Sequence, residues 1–357
     1  MRPYAVGVST VAARSRERLV RFCESVAASP TDPRTVRLQL IQELQRSVGF
    51  DAYAFVLTDP VTRVGTSPLA AVPTAIELPR LIRLKYLTTT NRWTGLGEPP
   101  VARLRAGGGR DGSLVWRELL AAHDVGDVAS MVFRDRYGCW GFLDLWRCGD
   151  VAFDDEEVGL LGVLAEPVTL ALRRGQAATF VERTAPPVRV GPVVLLLSPQ
   201  LEVLGQTPPA HETLRLLVPP PGEQPPVPAS AYNVAAQLLA VESGVDDAEP
   251  RARVHLAGGL WLTLRAARVG GPAGTIAVTA EESAPAERVD VFARAHALSG
   301  RETEVLGHLA AGADTREIAG RLFLSAHTVQ DHLKSVFGKT GANSRGLLLA
   351  RALGTGA

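Results

Sequence analysis

The chain has 357 residues, 46% of them hydrophobic and 21% charged, with a formal net charge of +1 at pH 7. This is a globular composition spread over more length than one ordinary core fills, so two or three domains are expected. There is no membrane-length apolar run and no secretion-signal core, the three scattered cysteines (Cys23, Cys139, Cys148) fit a reducing cytosol, and near-zero charge gives no global attraction to a polyanion.

In chain order, residues 14–28 and 35–48 read as helices, the second with Val36, Leu40, Ile41 and Leu44 along one stripe. Residues 50–58 (FDAYAFVLT) read as a strand closed by the Asp59-Pro60 turn, and 78–87 as a helix. A Gly/Pro-rich loop is expected over 94–112 and a short helix over 114–122. Apolar strands over 127–134 and 139–147 follow, joined by the polar turn DRYG. A long helix over 153–174 opens on Asp154, Asp155, Glu156 and Glu157, acids that suit its dipole.

This order predicts an α+β domain with an antiparallel sheet. It resembles a GAF domain, a sensor module for small molecules or proteins, and residues 14–182 are assigned to it on that likeness. APPVRVGP (185–192) breaks the chain. A second α+β pattern starts at VVLLLS and LEVLGQT, with helical patches near 210–218 and 231–241 and strands over 251–257, 260–268 and 274–280. PPPGEQPPVP (219–228) interrupts it as a loop or linker. The strand spacing resembles a degenerate PAS-type domain, assigned to 188–284. A linker helix is expected over 285–297, and no solenoid-period repeat is visible.

The last unit, 298–357, carries helix-start signals in quick succession. Ser299 with Glu302 and Asp314 with Glu317 make capping boxes, Ser325 can cap a third helix, and a fourth starts near Ser344. Each helix is short with one apolar stripe, so none is stable alone; packed together they make an all-α four-helix domain in which 314–339 is a helix-turn-helix. With Val329 pointing inward at 100° per residue, Leu333 and Val336 fall within about 40° of it. His327, Asp331, Lys334 and Gly338 point nearly opposite, with Gln330 and Ser335 on the shoulders. A solvated face would show the same polarity; Gln, Asp and Lys can in addition pair with adenine, cytosine and guanine edges. His332 falls on the core side and is expected to pack.

The stretch LSGRETEVLGHLAAGADTREIAGRLFLSAHTVQDHLKSVFGKTGANSR resembles the LuxR/GerE-type DNA-binding domain along residues 298–353. The agreement includes Leu298, Glu302, Val305, Gly312, Ile318, Ala319, Ser325, Thr328, Val329, Lys339, Gly341 and Arg345. The resemblance implies transcriptional regulation by a homodimer on a two-fold symmetric operator of double-stranded DNA. It also implies base contacts from Gln330, Asp331 and Lys334 and phosphate contacts from Thr328 and Lys339. Ser325, His327, Ser335 and Arg316 complete the expected DNA-facing set. Departures are Gln330, where the family commonly has Lys, Thr340 in place of a hydrophobic residue, and the negative Asp331. From 298 to 357 seven Lys/Arg face five Asp/Glu, a balance of +2, so few phosphates would be neutralised per protomer.

For the sensor half, Phe55, Trp93, Trp116, Trp140 and Trp146 are candidate ligand contacts, although large aromatics on strands also serve simply as core. Cys139 and Cys148 flank a strand without a second metal ligand at suitable spacing, and His123 and His255 read as structural. There is no G-x-G-x-x-G after a strand, no phosphate-binding G-x-x-x-x-G-K-[ST], no H-E-x-x-H and no nucleophile elbow. AGGGRDG (106–112) reads as a loop. A non-enzymatic, cytoplasmic regulator without cofactor or metal is therefore expected, with two alternatives: an adaptor that keeps the helical unit for protein contact, and, ranked below it, an enzyme with an unrecognised site in the GAF-like domain. The N-terminal half lacks the βα alternation of a phosphoacceptor receiver. Input from a small ligand or partner protein is expected to alter dimer geometry, with helix 153–174 as the lever.

Overall fold

The computed structural model describes residues 17–22, 25, 33–73, 77–105, 109–181, 193–208, 210, 229–256, 259–271 and 274–355. Most of the expected helix at 14–28, the break at 185–192, the linker at 219–228 and the helical patch from 211 onward lie outside the described residues.

Helix α1 (Pro33–Ser47) buries the expected stripe of Val36, Leu40, Ile41 and Leu44. Five strands follow: β1 (Ala52–Thr58), β2 (Gly65–Ala71), β3 (Val101–Arg103), β4 (Val125–Asp135) and β5 (Gly138–Cys148). They form an antiparallel sheet in the order β2-β1-β5-β4-β3. Asp135 shapes the β4–β5 corner, its Oδ1 accepting from the backbone N–H of Tyr137 (2.9 Å) and Gly138 (3.2 Å). Strand β2 was not expected, because GTSPLAA holds a proline and no alternation. At the sheet edge Pro68 leaves no ladder bond unmade.

Helix α2 (Leu78–Leu87) lies over one sheet face, and α3 (Asp155–Ala177) over the other. The acidic run opens α3 as expected, and Asp154 in addition caps it in a full capping box with Glu157, a pairing the dipole argument did not name. Ala129, Met131, Phe133, Leu143 and Leu145 share a core with Leu161, Leu164 and Val168 of α3, while Val128 and Trp146 pack with Leu81 and Leu84 of α2.

The second sheet contains β6 (Val193–Leu197), β7 (Val203–Gln206), β8 (Arg251–His255), β9 (Trp261–Val269) and β10 (Thr275–Glu282), ordered β7-β6-β10-β9-β8. Counted from its own first strand, each sheet runs 2-1-5-4-3, so the chain repeats one topology twice with no sequence period to announce it. Helix α4 (Ala229–Glu242) packs on both units and is buried nearly all round along its first half. Two-sided burial explains why its polar stripe, Ser230, Asn233 and Gln237, is turned to backbone carbonyls rather than to water. Its Ser230 hydroxyl donates to the Thr66 carbonyl, and Asn233 Nδ2 donates to the Gly65 carbonyl at 3.0 Å, tying it to β2.

A fully buried ion pair joins the two units. Arg253 Nε on β8 lies 2.7 Å from Asp59 Oδ2 in the β1–β2 turn, and Arg253 Nη1 reaches Asp290 Oδ2 (2.9 Å) on the linker helix α5 (Pro285–Ala295). Three aromatics close the same joint. Phe180, just past α3, stacks on Trp261 of β9 at 4.8 Å between centroids and meets Phe292 of α5 edge-on at 5.2 Å. Both sheets and the linker helix thus share one junction.

Candidate nucleic-acid interface

Four helices end the chain: α6 (Gly300–Ala310), α7 (Thr315–Leu322), α8 (Ala326–Thr340) and α9 (Arg345–Leu353). Each starts where its cap predicted. Ser299 and Asp314 form complete capping boxes with Glu302 and Glu317, and Ser325 and Ser344 accept from backbone N–H groups three residues on. Gly312 at φ 86° and Gly341 at φ 65° supply the left-handed turns after α6 and α8.

The corner between α7 and α8 is Phe323 and Leu324. Phe323 takes the left-handed conformation (φ 54°, ψ 44°) as C-cap of α7. That region costs a side-chain-bearing residue about 1–2 kcal/mol. The residue is 96% exposed, so the fold recovers little of that cost by burying it.

Helix α8 buries Val329, Leu333, Val336 and Thr340. Gln330, Asp331, Lys334 and Gly338 are exposed, as the wheel required, and His332 is half-buried. Thr340, which stands where a hydrophobic residue was expected, satisfies its hydroxyl by donating to the Val336 carbonyl at 2.9 Å. Asp331 sits loosely between His327 Nε2 (3.6 Å) and Lys334 Nζ (3.7 Å). Exposed pairs of this kind contribute little, so all three side chains can exchange partners at small cost. Arg316, on the first turn of α7, is exposed.

Other members of the expected set have work inside the domain. The Ser325 hydroxyl accepts from Thr328 N at 3.0 Å and lies 2.9 Å from Thr328 Oγ1. Ser335 Oγ donates to Glu302 Oε1 at 2.6 Å, and Lys339 Nζ donates to Glu302 Oε2 at 2.6 Å and to the Ala297 carbonyl at 3.2 Å. Two of the three Lys339 donors are therefore engaged internally.

Glu302, read from sequence only as a capping partner, is the hub of this network and is buried. Burial pushes its carboxyl up, but hydrogen bonds from Lys339, Ser335 and Ser299 outweigh that and hold it at about 2. A folded-state value below the ordinary 4.5 gives stability that is present above about pH 4.5 and lost as pH falls toward 2. Glu302→Gln is expected to lower the stability of the helical domain by roughly 1–2 kcal/mol and to flatten that acid limb. Helical circular dichroism against urea at pH 7 and pH 3 measures both effects.

The five candidate ligand-contact aromatics are not brought to one place. Phe55 and Trp140 belong to the core under α1 and α3, where Trp140 Nε1 donates to Asp135 Oδ1 at 3.0 Å. Trp146, Trp116 and Trp93 lie on the opposite side of the sheet. Trp116 Nε1 donates to the Val125 carbonyl at 2.8 Å. Trp93 stacks on Phe142 (4.9 Å, 8°) and donates from Nε1 to Asp144 Oδ1 at 2.7 Å.

The buried Lys85 ammonium lies 2.9 Å from Asp144 and 4.6 Å from the centre of the Trp93 ring. The chain's own lysine thus occupies the position facing this carboxylate. The adjoining cleft, bordered by Arg92, Trp93 and Phe142, has about 10 Å³ free, room for one water molecule. Sequence reading missed this cluster, although an aspartate inside the apolar run GFLDLW signals a need for a buried cation.

Burial pushes the Cys139 thiol up to about 11 and raises that of Cys148, which disfavours the reactive thiolate at both. Cys23 lies outside the described residues. His123 Nε2 meets Glu77 Oε1 at 3.1 Å, and His255 lies against Trp261 with centroids 5.5 Å apart. Among the described residues no group of three or more His, Cys, Asp or Glu could hold a metal ion, and no helix is long and apolar enough to cross a membrane.

The geometry of the last unit is that of a helix-turn-helix with an open second helix. Residues 296–351 match the family described as "Bacterial regulatory proteins, luxR family". The C-terminal unit is a LuxR-type helix-turn-helix domain. The "Probable HTH-type transcriptional regulator GfsR" of Streptomyces halstedii is 43% identical over 58 residues, which are 16% of this chain and 24% of that protein. The likeness thus spans about a quarter of that relative's length. Among solved structures, Escherichia coli SdiA aligns over 96% of this chain and 97% of its own with 15% identity and a TM-score of 0.35. SdiA in complex with octanoyl-rac-glycerol aligns over 100% and 98% with 14% identity and a TM-score of 0.31. Both structural likenesses are too low to bear on the two sheet-containing units.

Proposed function

We propose that this chain is a cytoplasmic transcriptional regulator rather than an enzyme. It acts as a homodimer, places α8 in the major groove of a two-fold symmetric operator, and answers a small-molecule or protein signal received by the two α+β units. The observation that carries the reading is the outward set Gln330, Asp331 and Lys334, on a helix whose opposite face is buried, within a segment that matches a DNA-binding family. These side chains can meet base edges in the major groove.

The repeated 2-1-5-4-3 sheet order supports a tandem pair of sensor modules, GAF-like then PAS-like. The position facing Asp144 is already filled by Lys85, so a ligand that engages that carboxylate has to displace the lysine. Helix α5 is the natural output element, because it touches both sheets' junction and packs on α9.

The local charge of only +2, with Lys339 partly committed to Glu302, favours a second reading in which the helical unit contacts protein instead. A salt titration of the full chain on genomic DNA fragments separates the two. Binding whose logarithm falls linearly with the logarithm of salt is the expected result. No binding at low salt would replace the regulator with the adaptor.

A further inference from the structure

Phe323 combines two properties that the fold does not use. Its backbone sits in the left-handed region, where glycine rests without strain, and its ring is almost wholly in solvent, more so than any other large hydrophobic residue among those described. A strained residue whose side chain makes no compensating contact points to a requirement outside the folded state. It precedes Ser325, the cap of α8, by two residues, at the end of that helix which enters the groove first in a docked helix-turn-helix. Arg316 and Arg321 on the preceding helix and Lys334 on the following one are exposed. The unit's low net charge limits what phosphate neutralisation can contribute, which leaves room for an apolar contact to matter.

We propose that Phe323 is a DNA contact, its ring lying against the deoxyribose edge and the methyl group of a thymine beside the groove entered by α8. Thymine methyls are the apolar feature of the major groove, and an exposed phenyl ring suits them. This rests on the regulator reading above.

The test uses the full chain and one duplex recovered from a random pool, comparing wild type with Phe323→Gly in DNA binding and in thermal unfolding. The variant is expected to unfold at the same or a higher temperature, because glycine relieves the left-handed strain, and to bind roughly tenfold more weakly with an unchanged salt slope. Replacing the contacted thymine by uracil is expected to weaken the wild type and leave the variant unaffected. Equal affinity of the two proteins overturns the proposal while leaving the regulator reading intact. So does normal DNA binding by a variant that fails to regulate a reporter, which would give the ring to a protein partner. A changed salt slope would show that the substitution acts through the neighbouring cations and also overturns it. Wild-type protein that binds no DNA sinks the functional reading, and this proposal with it.

Discussion

Arg253→Met is expected to cost the folded chain about 3–5 kcal/mol, because it leaves Asp59 buried without a counter-ion. Asp59 is wholly inaccessible and accepts from Arg253 Nε (2.7 Å), Arg253 Nη2 (2.9 Å) and the Arg253 backbone N–H (3.0 Å). Burial alone would raise its pKa; the Arg253 guanidinium reverses that and holds the carboxyl below its ordinary 3.8. Stability from this pair is therefore present above about pH 3.8 and lost as pH falls below it. Asp59→Leu combined with Arg253→Met removes both charges and is expected to recover much of the loss. Urea titrations of wild type, single and double variants make the comparison; equal loss in single and double variants would show that shape rather than charge holds the junction. Because Arg253 also holds Asp290 on α5, the single variant is expected to loosen the linker helix as well.

Lys334→Ala is expected to weaken specific DNA binding by roughly 1–3 kcal/mol and to relax the preference at one base pair. The side chain is exposed, and its nearest carboxylate, Asp331, lies 3.7 Å away, so the folded state loses little and stability should hardly change. Titration against the operator and against single-base variants of it reads the effect. An equal loss on random DNA would reassign Lys334 to phosphate. Thr328→Ala is expected to weaken all sequences alike, and a loss confined to one operator position would contradict that role.

How much was legible in the sequence follows from how local each signal is. The capping boxes at Ser299 and Asp314 involve residues three apart, and the acidic first turn after Asp154 is equally local, so the helices they start were visible in order and place. The inward and outward faces of α8 were visible for the same reason, since periodicity is local. Strand β2 was hidden because an edge position lets a proline and small residues form a strand, and only the tertiary neighbour reveals the edge. The repeated sheet order was hidden because topology is kept by strand pairing, which any alternating apolar sequence can satisfy.

The engagement of Ser335 and Lys339 by Glu302, 33 and 37 positions away, could not be read from the helix wheel. Asp144 and Asp59 gave partial notice: each is an acid beside apolar strand residues, and burying one requires a cation. Lys85 and Arg253, at sequence distances of 59 and 194, are named only by the fold.

The most direct measurement is selection of duplexes from a random pool by the full chain, repeated with a Gln330→Ala, Lys334→Ala double variant. The expected result is a two-fold symmetric motif for the wild type, with each half-site degraded at the positions read by Gln330 and Lys334 in the variant. A wild-type pool that stays random, or a motif that survives both substitutions unchanged, would contradict the assignment of α8 as the element that reads DNA.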